Sequence, residues 1–213
     1  MSRTDTLIEH LSAELAPVER LWPPALRALL WLSSVAVASA ALVVGYADVD
    51  VFLHRAAEPR LAVELLATLS TGVLAVVAAF MVALPDRSER WALVPLPTFA
   101  LWIGSSGYGC WQNWVSSGPN GWVVGESAEC FLWILTFGLA FGAALMPALR
   151  RARPLSPLLP ATVGGLGVAG LAAFLLQFFH PFDVTVMDLA LHLAGVGLIV
   201  VLAARSRAVA SGA

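Results

Sequence analysis

The amino-acid sequence predicts an all-α protein, a six-helix transmembrane bundle preceded by a short cytoplasmic amphipathic helix. Three observations carry that expectation. Apolar stretches of about 20 residues, the length a helix needs to cross hydrocarbon, recur six times along the chain. Arginine gathers in every second gap between them. Hydrophobic residues make up 59% of the 213 positions and charged ones only 12%, too little polar cover for the surface of a water-soluble chain of this size.

The first element lies ahead of the apolar stretches. Thr6 and Glu9 have capping-box spacing, and Leu7, Ile8, Leu11 and Leu15 recur on one helical stripe, with Glu9, His10 and Glu14 elsewhere around the wheel. Pro17 marks its end. Val18, Leu21 and Trp22 then run into Pro23 and Pro24, which break the chain before the first span. An interfacial helix lying on lipid is one reading of this segment. Such helices carry Lys or Arg on the polar face, however, whereas this one is mainly acidic and would be repelled by anionic lipid. A protein groove accepting Leu7, Ile8, Leu11 and Leu15 as anchors suits it better.

The spans follow at Ala25 to Gly45, Leu61 to Leu84, Trp91 to Gly109, Ala128 to Leu149, Leu158 to Phe179 and Val184 to Ala204. Six crossings leave both termini on one side. Arg3, Arg20, Arg27, Arg87, Arg90, Arg150, Arg151, Arg153, Arg205 and Arg207 share that side, and only Arg55 and Arg60 fall opposite. The positive-inside rule therefore expects a multi-pass protein of the bacterial inner membrane with both ends in the cytoplasm. Residues 1–24 form a cytoplasmic segment, 25–205 the membrane domain and 206–213 a cytoplasmic tail. A cleaved signal peptide is not expected, because Asp5, Glu9, Glu14 and Glu19 precede the first apolar run, which should stay as an anchor.

Composition also excludes some functions. The twelve basic residues are all arginine, which reads as coding bias, and a net charge of -2 gives no electrostatic reason to expect nucleic acid. Enzyme signatures are missing too: the chain has no nucleophile elbow, phosphate loop or dinucleotide fingerprint.

The chemistry-bearing residues collect at the outer face. Cys110 closes the third span and Cys130 opens the fourth, so the turn-rich connection between them brings two thiols to one side, where a disulfide is permitted. Glu126 stands one helical turn before Cys130, and His180 falls in the last outer connection. Asp188 and His192 share a face of the sixth span at i, i+4, and Glu64 adds a carboxylate to the outer part of the second. Ionisable groups are expensive in lipid, so Glu64, Asp188 and His192 are expected to face the bundle interior and pair there. Three explanations stay open: a structural hydrogen-bond network, a metal or redox sensor, and an ion pathway. Thiolate and imidazole suit soft and borderline divalent ions, so Cys110, Cys130, His180 and His192 are candidate ligands of a transient metal, although no CxxC or HExxH supports them. A carboxylate such as Asp188 fixes an imidazole tautomer with or without metal.

Other features are architectural. Gly138 and Gly142 form a GxxxG pair, and Gly164, Gly165, Gly167 and Gly170 keep the fifth span slim for close packing. Pro95 and Pro97 are expected to kink the third span. Trp22, Trp91, Trp111, Trp114 and Trp122 fall near span ends, as interfacial anchors do.

Taken in order, several pieces resemble the six-span bacterial anti-sigma factors of the NrsF type. They are Asp5, Leu7, Ile8 and Leu11 with Pro17-Val18, Leu21, Pro23-Pro24 and Arg27; Pro85 with Arg87, Arg90 and Trp91; Leu101-Trp102 with Gly109-Cys110; Ser127 to Cys130; and Arg150-Arg151 with Pro154-Leu155. The resemblance implies a membrane protein that holds an extracytoplasmic-function sigma factor at the cytoplasmic face and releases it under stress, with heavy metals or oxidants as the class of signal. Combined with the reading of the residues, the expectation is that the stripe of Leu7, Ile8, Leu11 and Leu15 binds the sigma factor while Cys110, Cys130, Glu126, His180 and His192 sense an ion or oxidant outside. Members of the family carry a cysteine before a proline in the last outer connection, a place held here by His180 before Pro181. Metal ligation survives that change; a disulfide through that position does not. The rival expectation is a small ion transporter or channel with Glu64, Asp188 and His192 as an intramembrane relay.

Overall fold

The computed structural model describes residues 3–13, 20–117, 124–179 and 186–208. Among them every regular element is helical: α1 (Arg3–Ala13), α2 (Pro24–Tyr46), α3 (Val49–Ala56), α4 (Pro59–Val82), a 3-10 turn (Glu89–Leu93), α5 (Leu96–Ser117), α6 (Val124–Arg150), α7 (Leu158–Leu176) and α8 (Val186–Ala208). The six long helices overlap the six apolar stretches, but α5 starts and ends later than the expected third span, Trp91 to Gly109, and runs past Cys110 to Ser117. Among the described residues four stretches, α2, α4, α7 and Phe131–Arg150 of α6, are long and apolar enough to cross a membrane. Ser105, Ser106 and Gln112 dilute α5, and α8 contributes the apolar stretch Leu193–Ala203. Large side chains such as Val37, Val44, Leu66 and Leu132 are exposed on the outside of the bundle, a surface that hydrocarbon tolerates and water does not.

Local chemistry explains where the helix ends differ from expectation. Thr6 lies within α1, with helix already at Arg3, and not at its cap, so the capping-box reading is corrected. Pro95 and Pro97 do not kink a span. They flank the start of α5, where a missing N–H costs nothing because the first turn has no partners for its donors. The chain turns before them through the 3-10 segment, capped by Ser88, whose Oγ accepts from the Arg90 N–H at 3.3 Å. The connection between α2 and α4 contains a helix not expected from the sequence, α3, whose N-cap Asp48 accepts from the Val51 N–H at 3.1 Å. Phe52 of α3 stacks on Phe178 beyond α7, ring centroids 4.0 Å apart.

The helix α7 is the centre of the bundle. It packs on α4, α8 and α6, while α5 lies on α4 and α8, and α2 leans on α4. Its glycines are what permit three close neighbours. A methyl group on Gly167 would stand 2.9 Å from the Val76 backbone nitrogen, and one on Gly165 2.9 Å from the Val200 Cα. The α4–α7 contact is thus nearly backbone to backbone, with Gly72 opposite Gly170. In α6, Gly138 seats Ile199 of α8, but Gly142 does not form the second half of a packed face: it has only Val168 at ordinary van der Waals distance.

Candidate functional site

Two polar clusters occupy opposite ends of the bundle. At the end that carries the α6–α7 connection, the Arg27 guanidinium of α2 donates to the Ala148 carbonyl near the end of α6 and lies 5.2 Å from the centroid of the Phe80 ring of α4. This one residue joins three helices. Its Nη1 is buried without a hydrogen-bond partner, as is the indole nitrogen of Trp31 one turn further along α2.

At the other end the centre is Glu64, in the second turn of α4 and 2% exposed. Its Oε1 accepts from Ser106 Oγ of α5 at 2.8 Å. Its Oε2 stands 3.7 Å from Arg60 Nη1, one turn back on the same helix, and has no hydrogen bond of its own. A half-satisfied buried carboxylate is costly to keep, which marks this as a place where chemistry outranks packing. Arg60 crosses to α5 as well: a side chain at Gly109 would run into its guanidinium. Next to Gly109 is Cys110, 3% exposed and one turn beyond Ser106 on α5. The arrangement therefore places a carboxylate, a hydroxyl and a guanidinium along one seam between α4 and α5, with a buried thiol one turn beyond the hydroxyl on α5.

The sequence alone does not single out Ser106 and Arg60 as partners of Glu64. The signal was present as two i, i+4 pairs, Arg60 with Glu64 and Ser106 with Cys110, but only the antiparallel pairing of α4 and α5 sets them level. The other expected residues are distributed as follows. Glu126 and Cys130 are in the first two turns of α6, and Asp188 and His192 in the first two turns of α8, with side chains outside the described residues. The two helices pack together, a side chain on Gly195 of α8 meeting Phe131 and Ile134 of α6 at 3.5 Å, so their leading turns share the Glu64 end of the bundle. His180 and Leu15 lie outside the described residues. Among the described residues no group of three or more His, Cys, Asp and Glu is disposed to hold a metal.

At the N-terminus, Leu7, Ile8 and Leu11 lie along α1 with 57%, 60% and 56% of their surfaces exposed. No residue of α1 is buried. Three large apolar side chains spaced i, i+1 and i+4 thus form a stripe that the described residues leave uncovered.

No curated protein and no solved structure gives a significant match to the chain. The model of one protein family does: that described as negative regulator of sigma F, NrsF, aligns with residues 11–208, from Leu11 of the exposed stripe to the end of α8. A match over nearly all of the 213 residues settles kinship, and the chain belongs to the NrsF family of negative regulators of sigma F.

Proposed function

We propose that the chain is a membrane-embedded anti-sigma factor that holds an extracytoplasmic-function sigma factor at the cytoplasmic face and releases it when a heavy metal or oxidant reaches the outer face. In this reading it crosses the bacterial inner membrane six times with both termini inside. Residues 1–24 bind the sigma factor, 25–205 form the membrane domain and 206–213 a cytoplasmic tail. The observation that carries the proposal, beside the family, is the uncovered stripe of Leu7, Ile8 and Leu11, continued in sequence by Leu15. A partner's groove would bury it.

Sensing is assigned to Cys110, Cys130, Glu126, His180 and His192, with Glu64 and Asp188 as supporting carboxylates. A buried thiol one helical turn from the serine that bonds the Glu64 carboxylate adds soft-donor chemistry of the kind a borderline divalent ion accepts. Ligand binding moves the equilibrium only if two bundle arrangements differ in affinity for it.

Co-purification of a sigma factor with the full-length protein in detergent tests the first half. Leu11→Asp should weaken capture by roughly thirtyfold, the scale of a lost interface anchor; unchanged capture removes α1 from the interface. For the second half, Cys110→Ser combined with Cys130→Ser should abolish induction of a sigma-dependent reporter by cadmium or chromate. Intact induction assigns sensing elsewhere. A second reading, an ion relay through Glu64, Asp188 and His192, draws on the burial of Glu64, and proton or cation flux in proteoliposomes that stops on Glu64→Gln would favour it.

A further inference from the structure

Between α6, α7 and α8, at the Arg27 end of the bundle, lies an open groove of about 580 Å³. Its floor and walls are apolar, with Gly142, Met146, Val168 and Ile199 among them, and two arginines, Arg150 and Arg205, stand at its rim. Both arginines are exposed. Gly142 lines the hollow, and a Cβ there would meet only Val168, at 3.9 Å.

We infer that this groove is a binding site for one anionic phospholipid, its acyl chain along Gly142 and Val168 and its phosphate between Arg150 and Arg205. The pairing follows from charge and geometry. An acyl chain needs a slot without polar groups, and the lining offers one. A phosphodiester needs cations where hydrocarbon ends, and both arginines lie in the last turns of their helices. Arginine presents planar donors that suit phosphate oxygens, and basic pockets between membrane helices recognise anionic headgroups in this way. A zwitterionic lipid would use the slot but gain little from the rim. The proposal rests on the membrane reading of the bundle and is independent of the sigma-factor reading.

Native mass spectrometry of the full-length protein in detergent, given equal amounts of phosphatidylglycerol and phosphatidylcholine, tests it. Wild type should retain phosphatidylglycerol over phosphatidylcholine by roughly tenfold or more, the scale of two arginine contacts. Arg150→Gln with Arg205→Gln should bring the two lipids close to parity, and Gly142→Leu should reduce retention of both. Unfolding temperatures report whether each variant keeps its fold; if Gly142→Leu does not, the arginine pair alone decides. Equal retention by wild type, or a preference that survives the double arginine change, overturns the assignment. So does a wild-type dimer that Gly142→Leu converts to monomer, since the occupant would then be a second copy of the chain. Sigma-factor capture by the same variants reads out separately, so failure of one proposal is distinguishable from failure of the other.

Discussion

The helices α2 and α7 are alike in hydropathy, 2.1 against 1.9 over their most apolar windows, yet 11% of that window is buried in α2 and 72% in α7. Hydropathy therefore says that each suits a membrane and nothing about where it sits. Glycine at the contacts decides position. α7 has Gly164, Gly165, Gly167 and Gly170 at the points where α4, α6 and α8 approach, whereas the glycine of α2, Gly45, has no neighbour within 4 Å. In a solvent as apolar as the side chains, close van der Waals packing is what brings helices together, and small residues win the centre.

The contrast can be broken most severely at Gly167. Gly167→Leu forces the α4–α7 seam apart and should cost about 3 kcal/mol or more, read as a fall in unfolding temperature in detergent, whereas Val37→Leu on the exposed face of α2 should leave it unchanged. Equal responses would mean that the centre of the bundle has been misplaced. Ser106→Ala sharpens the comparison at the far end of α4. It leaves the Glu64 carboxylate without its one hydrogen bond and should cost about 2 kcal/mol, with Glu64→Gln combined with it recovering part of the loss. The smallest effect is expected at Arg27→Met, which removes the bond to Ala148 and the contact with Phe80 but also relieves a buried donor; about 1 kcal/mol is expected from thermal unfolding.

The long helices were legible because each announces itself by a run of apolar residues, and the packing role of Gly164, Gly165, Gly167 and Gly170 because small residues in a membrane helix have few other uses. Short elements were not. α3 has eight residues, too few for a periodic signal, and its cue, Asp48 ahead of Val51, looks like any polar loop position. Pro95 and Pro97 misled because a proline inside an apolar run is read as a break, while here the run includes the turn ahead of the helix. Glu64 could be singled out from its charge alone. Its partners could not, since Ser106 is 42 positions away and only the level at which α5 crosses α4 brings it near.

The lean of α2 has a mechanical outcome. Its buried residues, Pro24, Ala28, Trp31 and Val35, all belong to the first half, and beyond them the helix stands off from α4 and α7 over a wedge of about 420 Å³ walled by Val43, Leu69, Val73 and Phe174. Water has nothing to bond to in such a wedge, and emptiness forfeits dispersion contacts. In a bilayer, fatty tails would be what remains to occupy it. The tilt of the first crossing is consequently a joint property of polypeptide and fat, pivoting about its arginine-pinned root, and a change in tail length or saturation should swing Tyr46 further than any other part of that rod.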